Sequence, residues 1–311
     1  MAQIKRVALF LTRKDEAQLA WAATARDAAR ISDLQIREHW IDDSAAQNHS
    51  IAECVFNDTE DALLILPASA GGPAALLQQA AARGKSIVLL DRVTHDLDLE
   101  VSWSLPRLRR DHPQILAARV APDEEEIGRI QGRQTLALLP TGGAVLCVQG
   151  DARTSAVDGR TRGLEEILSG RAEYDLGKVD GGWSSERAEA AVAEWLGVVL
   201  QNSDYRLSLV VAQSEVMLDG IRRGLNRLAR ELARPQLSGV PMIGCDGLPT
   251  FKRQVDEGQL EATVEIPSRT EAAMHALTDF SAHGTFPPKP DISLAPQSYP
   301  SLDRLAAHVS S

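Results

Sequence analysis

Ser86-Ile87-Val88-Leu89-Leu90-Asp91-Arg92 is an unbroken apolar run that stops on a carboxylate and a guanidinium. A short continuous run of this kind, with no polar alternation, reads as a strand buried on both faces, as strands of parallel sheets are. In an open α/β sheet, ligands bind just beyond the carboxyl ends of the strands. Asp91-Arg92 therefore reads either as a ligand-gripping pair or as a salt-bridged loop. Three other polar or aromatic points fall in equivalent places. Arg160 lies in the first turn of a helix after an apolar run, Trp183 follows Gly181-Gly182, and Asp246 sits between Cys245 and Gly247.

Outward from that run, short apolar stretches alternate with longer segments of helical period, the pattern of βαβ units. A first series predicts strands near 4–11, 34–40, 62–66 and 86–90, with helices near 19–31, 51–58 and 73–83. A second predicts strands near 144–149, 174–179, 207–212 and 242–245, with helices near 125–139, 158–168, 185–200 and 216–232. A helix over 250–257, a strand over 260–265 and a helix over 269–280 follow, then Phe286-Pro287-Pro288-Lys289-Pro290, which cannot continue a helix. The fold class is α/β, with parallel sheets in two similar lobes that follow in sequence. The lobes are expected at 1–121 plus 267–288 and at 122–266 plus 289–300, with a tail over 301–311. If the helix over 269–280 packs back on the first lobe, chain crossings near 120–123, 265–268 and 287–290 would make the connection a hinge.

The chain has 311 residues, enough for two cores, with 44% hydrophobic residues and only 4% aromatic ones. A formal charge of −10 and the lack of an aromatic-interleaved basic stripe argue against a nucleic-acid surface. The cluster Arg107 to Arg110 is followed by Asp111 and reads as a solvated face. Cys54, Cys147 and Cys245 are widely spaced and read as reduced core residues. No stretch is long and apolar enough for a membrane span. The apolar run 4–11 passes straight into Thr12-Arg13-Lys14-Asp15, so no export signal is read and a cytoplasmic location is expected, or a periplasmic one for a trimmed mature form.

The candidate site residues suit a polyhydroxylated molecule. A carboxylate accepts from vicinal hydroxyls, guanidinium forks donate to ring or hydroxyl oxygens, and an indole packs on the C–H face of a sugar ring. The segment Gln149-Gly150-Asp151 leads to Arg160 without a Gly-Lys-Ser/Thr, which disfavours phosphate transfer. There is no His-Glu-x-x-His pair, no Gly-x-Ser-x-Gly elbow and no activated cysteine, so no enzyme, metal or cofactor is read. His95 reads as a surface histidine, and Trp40 and Trp195 as core residues. For Trp183, core packing is the alternative to stacking on a ligand.

With these motifs in order, the chain resembles the type I periplasmic binding protein family, in its ribose-type sugar-binding branch, which shares its fold with LacI-type effector domains. The landmarks are Ile87 to Arg92, Gln149-Gly150 with Thr154-Ser155-Ala156 and Arg160, Trp183 before its helix, and Ile243 to Gly247 followed by Gly258 to Thr263. The resemblance implies two Rossmann-like lobes joined by a three-stranded hinge and sugar or polyol binding between them with hinge closure, in an ABC-type uptake system with a membrane permease as partner. The alternative it leaves is a cytoplasmic LacI-like sensor without a DNA-binding domain, acting on a signalling partner. Carried over by position, Asp91 and Arg92 bind from the first lobe, and Arg160, Trp183, Ser214, Glu215 and Asp246 from the second. Asp123 falls beside the hinge, as does Glu265 or Ile266. After the first strand, where the family stacks aromatic rings on the sugar, this chain has Asp15-Glu16-Ala17-Gln18; Asp15 and Gln18 are the candidates there, with Trp21 or Trp103 as a replacement wall.

Overall fold

A computed structural model describes residues 4–68, 74–91, 105–201 and 205–309. The chain divides into two compact units, Met1–Pro122 with Pro267–Leu294 and Asp123–Ile266 with Ala295–Ser311.

The first unit is built on a six-stranded parallel sheet in the order β11-β5-β4-β3-β1-β2. Its strands are β1 (Arg6–Leu11), β2 (Gln35–Trp40), β3 (Ala62–Ile65), β4 (Ser86–Leu90), β5 (Ala117–Pro122) and β11 (Asp291–Leu294). Strand period explains the two cores. Val7, Leu9 and Leu11 of β1 pack on one face with α1 (Glu16–Ile31) and α10 (Arg269–His283), while Ala8 and Phe10 pack on the other with α2 (Ser44–Phe56), α3 (Ala74–Ala82) and the helical residues 105–111, α4.

The second unit has a four-stranded parallel sheet, order β7-β6-β8-β9, from β6 (Gly143–Gln149), β7 (Tyr174–Asp180), β8 (Leu207–Ala212) and β9 (Met242–Ile243). An antiparallel pair, β10 (Thr263–Glu265) and β12 (Gln297–Tyr299), joins it through single bridges from Ile243 and Asp246. Leu146 and Val148 of β6 face α7 (Ser185–Val199) and α8 (Leu218–Glu231), and Val145 and Cys147 face α5 (Glu124–Leu138), α6 (Ser155–Leu168) and α11 (Leu302–Val309). Helix α9 (Pro249–Asp256) follows the last parallel strand.

Local chemistry sets the helix starts. Asp15, Asp43, Asp123, Ser184 and Ser268 each cap a helix by accepting from a backbone amide three residues on. These caps explain why α1 and α2 begin earlier than the apolar period suggests. Left-handed Gly284 closes α10.

Three expectations are corrected. Residues 291–294 belong to the first unit, so the third passage of the chain lies between 294 and 295 and not near 287–290. The reason is pairing: β11 runs parallel to β5, and Arg119 Nε donates to Asp291 Oδ1 at 2.7 Å. Arg109 is also not a plain solvated residue, because its guanidinium donates to the carbonyls of Ala117 at 2.8 Å and Pro287 at 3.0 Å, tying the proline-rich segment to β5. The expected tail carries α11, which buries Leu305 in the second unit. All three cysteines are free and buried, and burial pushes the Cys54 and Cys147 thiols up to about 12. No helix of the described residues is long and apolar enough to cross a membrane.

Helices α5 and α6 approach closely enough to exclude side chains. A Cβ on Gly128 would lie 2.0 Å from the Arg160 carbonyl oxygen, and one on Gly163 would lie 2.0 Å from that of Glu125. Gly128→Ala is expected to cost about 1–3 kcal/mol in denaturant unfolding, since backbone must move. Gly197→Ala, in α7 with no atom within 4 Å of its added Cβ, is expected to stabilise by up to about 1 kcal/mol through helix propensity. Equal effects at the two sites would refute the close-contact reading.

Candidate functional site

The second unit gathers most of its nominated residues at the carboxyl ends of β6 to β9. Arg160 is 4% exposed and Glu124 is 3% exposed. Arg160 Nε donates to Glu124 Oε2 at 2.7 Å, Nη1 donates to the Gln213 carbonyl, and the guanidinium lies 5.5 Å from the centre of the Trp183 ring. A buried guanidinium needs a partner of this kind, because removing one member of such a pair costs roughly 3–5 kcal/mol. Trp183 itself is partly exposed and packs on the α7/α8 core with its indole across Gly150, where a Cβ would lie 2.0 Å from the ring. It is thus both a core residue and the edge of a polar cluster.

Next to it lie two carboxylates. Asp246 Oδ2 accepts from Ser214 Oγ at 2.6 Å and from the Glu215 amide at 3.3 Å. Glu215 is fully buried and accepts from the amides of Gly247 at 3.1 Å and Leu248 at 3.0 Å and from Thr263 Oγ1 at 2.5 Å. Its role is to hold the turn after β9, which carries Asp246. Burial, then the nearby Asp246 carboxylate, pushes the Glu215 carboxyl up to about 8. Gln213 ties the strand ends together by accepting from the Gly150 amide at 3.1 Å and donating to Thr161 Oγ1 at 2.9 Å. Asp123 is spent as the cap of α5. Glu265 is charge-paired with Lys252 at 3.0 Å, and that ammonium lies 4.7 Å from the Tyr299 ring centre.

In the first unit Asp91 follows β4, and its amide donates to the Val120 carbonyl at 2.7 Å. Its carboxylate lies 3.1 Å from Arg269 Nε, and the Arg269 guanidinium covers the Trp21 ring at 4.5 Å. Arg92, His95 and Trp103 lie outside the described residues. Asp15 caps α1 through the Gln18 amide at 2.9 Å, and buried Gln18 accepts from the amides of Thr12 at 2.8 Å and Arg13 at 3.1 Å, fixing the turn after β1.

Asp91, Trp183 and Asp246 share a further property: their φ angles of 69°, 56° and 132° are positive, as in six non-glycine residues of the described chain. Such backbone is disfavoured for residues with a Cβ and persists where surroundings over-determine it, commonly at binding sites. The other three, Asp33, Asp58 and Ala233, lie just beyond helix ends.

Sequence reasoning missed Glu124, Gln213, Lys252 and Arg269. Glu124 is hidden among the acids Glu124 to Glu126, which suit any helix amino terminus. Arg269 did leave a trace, since a cation in the first turn of a helix opposes the helix dipole and calls for a dedicated partner. Among the described residues no group of three His, Cys, Asp or Glu is placed to hold a metal ion. A groove of about 500 Å³ beside Glu189, Arg223, Arg227 and Arg230 lies on the α7/α8 face, away from the strand ends, with two of its arginines paired to Glu189.

Glu215 makes stability pH-dependent in a defined direction. Its folded pKa of about 8 lies above the ordinary carboxylate value, so the folded state binds the extra proton and stability falls as pH rises from about 5 to 8. Glu215→Gln lowers the melting temperature and removes this slope. The gap between wild type and variant should therefore be wider at pH 5 than at pH 8; a constant gap in melting scans would show that Glu215 does not titrate there.

The family model described as "Periplasmic binding protein domain" matches residues 16–277. Among curated protein sequences none matches significantly. A solute-binding protein of an ABC transporter from Actinobacillus succinogenes, solved with D-allose, superposes with a TM-score of 0.79 at 15% identity, covering 97% of this chain and 99% of that one. One from Bacillus halodurans with myo-inositol gives 0.75 at 16% identity, over 100% and 99%. One from Mycobacterium smegmatis with glycerol gives 0.72 at 20% identity, over 100% and 98%. At these identities the likeness is one of fold, while the family match spans most of the sequence. Two parallel-sheet units between which the chain passes three times, together with that match, mean that the chain belongs to the periplasmic binding protein family, with the type I fold.

Proposed function

We propose that this protein is a non-catalytic receptor for a small sugar or polyol and serves as the substrate-binding component of an ABC-type uptake system outside the cytoplasmic membrane. The observation that carries this reading is the strand-end chemistry of each unit: Asp91 after β4 in the first, and Arg160, Trp183 and Asp246 after the strands of the second. Structural neighbours with D-allose, myo-inositol and glycerol bound support a polyhydroxylated ligand. In this reading Asp91 and Arg92 contribute from the first unit, Arg160, Trp183 and Asp246 from the second, and ligand contact with both favours a closed state by population shift. Asp15, Gln18, Asp123, Ser214, Glu215 and Glu265 act behind them, as caps and clamps of the loops that carry those groups.

The chemistry at hand favours binding over catalysis. A general acid–base pair needs a group free to exchange protons with substrate. Glu215, the carboxyl whose titration is most displaced, is buried and has both oxygens taken by Gly247, Leu248 and Thr263.

A thermal-shift screen of neutral hexoses, inositols and small polyols tests this. A ligand that binds only the folded protein stabilises it by about 2.7 kcal/mol at 100 times its Kd. Asp91→Asn keeps shape but removes the charged acceptor, and is expected to weaken binding about 10- to 100-fold, matching the 1.5–3 kcal/mol of a hydrogen bond to a charged group. Absence of any shift across the screen at millimolar concentration, or wild-type affinity in Asp91→Asn, would overturn the proposal.

A further inference from the structure

The first unit contains a buried cation that no site reading of the sequence includes. Arg269 is 5% exposed at the start of α10. Three things there work against a guanidinium. Burial removes its hydration, the positive end of the helix dipole repels it, and its Nε has no hydrogen-bond partner among the described residues. Its compensations are the Asp91 carboxylate, 3.1 Å from Nε, and the face of Trp21, 4.5 Å from the guanidinium carbon. A residue with a purely packing role here would be better served by a long apolar side chain, since buried ion pairs rarely outperform well-packed hydrophobic replacements. Groups held against such opposition concentrate where function requires them.

What the pair does chemically follows from its inventory. A guanidinium has five N–H donors and no acceptor, and an ionised carboxylate only accepts. Side by side at the carboxyl end of β4, they offer a donor fork next to an acceptor with no net charge. An uncharged molecule with neighbouring oxygens satisfies both: one hydroxyl donates to the carboxylate, and an adjacent oxygen accepts from the guanidinium. A ligand amine would gain little from Asp91, whose charge the adjacent Arg269 guanidinium already balances.

Resting on the polyol reading above, we propose that Arg269, backed by Trp21, is a specificity-determining residue: it completes the Asp91 subsite for a vicinal pair of oxygens in an uncharged ligand and excludes amino-substituted analogues.

The test uses the full chain with calorimetric titration of myo-inositol and D-allose, and of aminodeoxy counterparts of each. Wild type should prefer the neutral probe. Arg269→Met should erode that preference by at least about tenfold, equivalent to about 1.4 kcal/mol, by weakening the neutral probe and improving the amine. Arg269→Lys keeps the charge but not the fork, and should bind the neutral probe more weakly while still rejecting the amine. Because Arg269→Met leaves a carboxylate without this cation, its folding is followed by melting scans together with Asp91→Asn and the double variant. The double variant should melt higher than Arg269→Met alone. Strictly additive losses, or a neutral-to-amine preference unchanged in a folded Arg269→Met protein, would overturn the assignment while leaving polyol binding intact. Failure of wild type to bind either neutral probe or its amine would overturn the assignment together with the polyol reading.

Discussion

The close approach of α5 to α6 is the constraint on which the strand-end cluster of the second unit rests. Glycines at 128 and 163 let each helix backbone touch the other, with no room for a Cβ. That contact sets Glu124, in the first turn of α5, against Arg160 in α6, and the ion pair is almost fully buried. A guanidinium clamped on one side by a carboxylate and on another by the Gln213 carbonyl cannot swing. Trp183 then lies across Gly150 and against the fixed cation, so the orientation of the indole is inherited from a helix-packing distance. A rigid scaffold of this sort lowers the entropy lost on binding.

A second regularity runs through both units. Charged groups at the strand ends come with opposite charges from elsewhere in the same unit: Asp91 with Arg269, Arg160 with Glu124, Glu265 with Lys252. Pairing fixes the direction of each group while removing net charge from its surroundings. The exception is the Glu215–Asp246 pair of like charges, where burial resolves the conflict by raising the Glu215 pKa.

Much of the architecture was legible because its causes are local. Unbroken apolar runs identified β1, β3, β4, β6 and β8, and the spacing between them gave α/β order. The edge strands were harder. β11 and β12 are short, half exposed and follow prolines, so their apolar pattern is weak, and β11 exists because Arg119 and β5 hold it. That pairing moved the third passage of the chain beyond the proline-rich segment where it was expected.

The site divides along the same line. Residue type and position after a strand pointed to Asp91, Arg160, Trp183 and Asp246, because the end of a parallel strand is a place that sequence periodicity can locate. Their partners were out of reach: nothing near Arg160 in the chain points to Glu124, and nothing near Asp91 points to Arg269. Periodicity, capping and turn chemistry act over a few residues and are written into short stretches of chain. Which buried charge meets which, and whether Gln18 or Glu215 faces a ligand or braces a loop, depends on helices brought together from distant parts of the chain, and burial alone makes that choice energetically decisive.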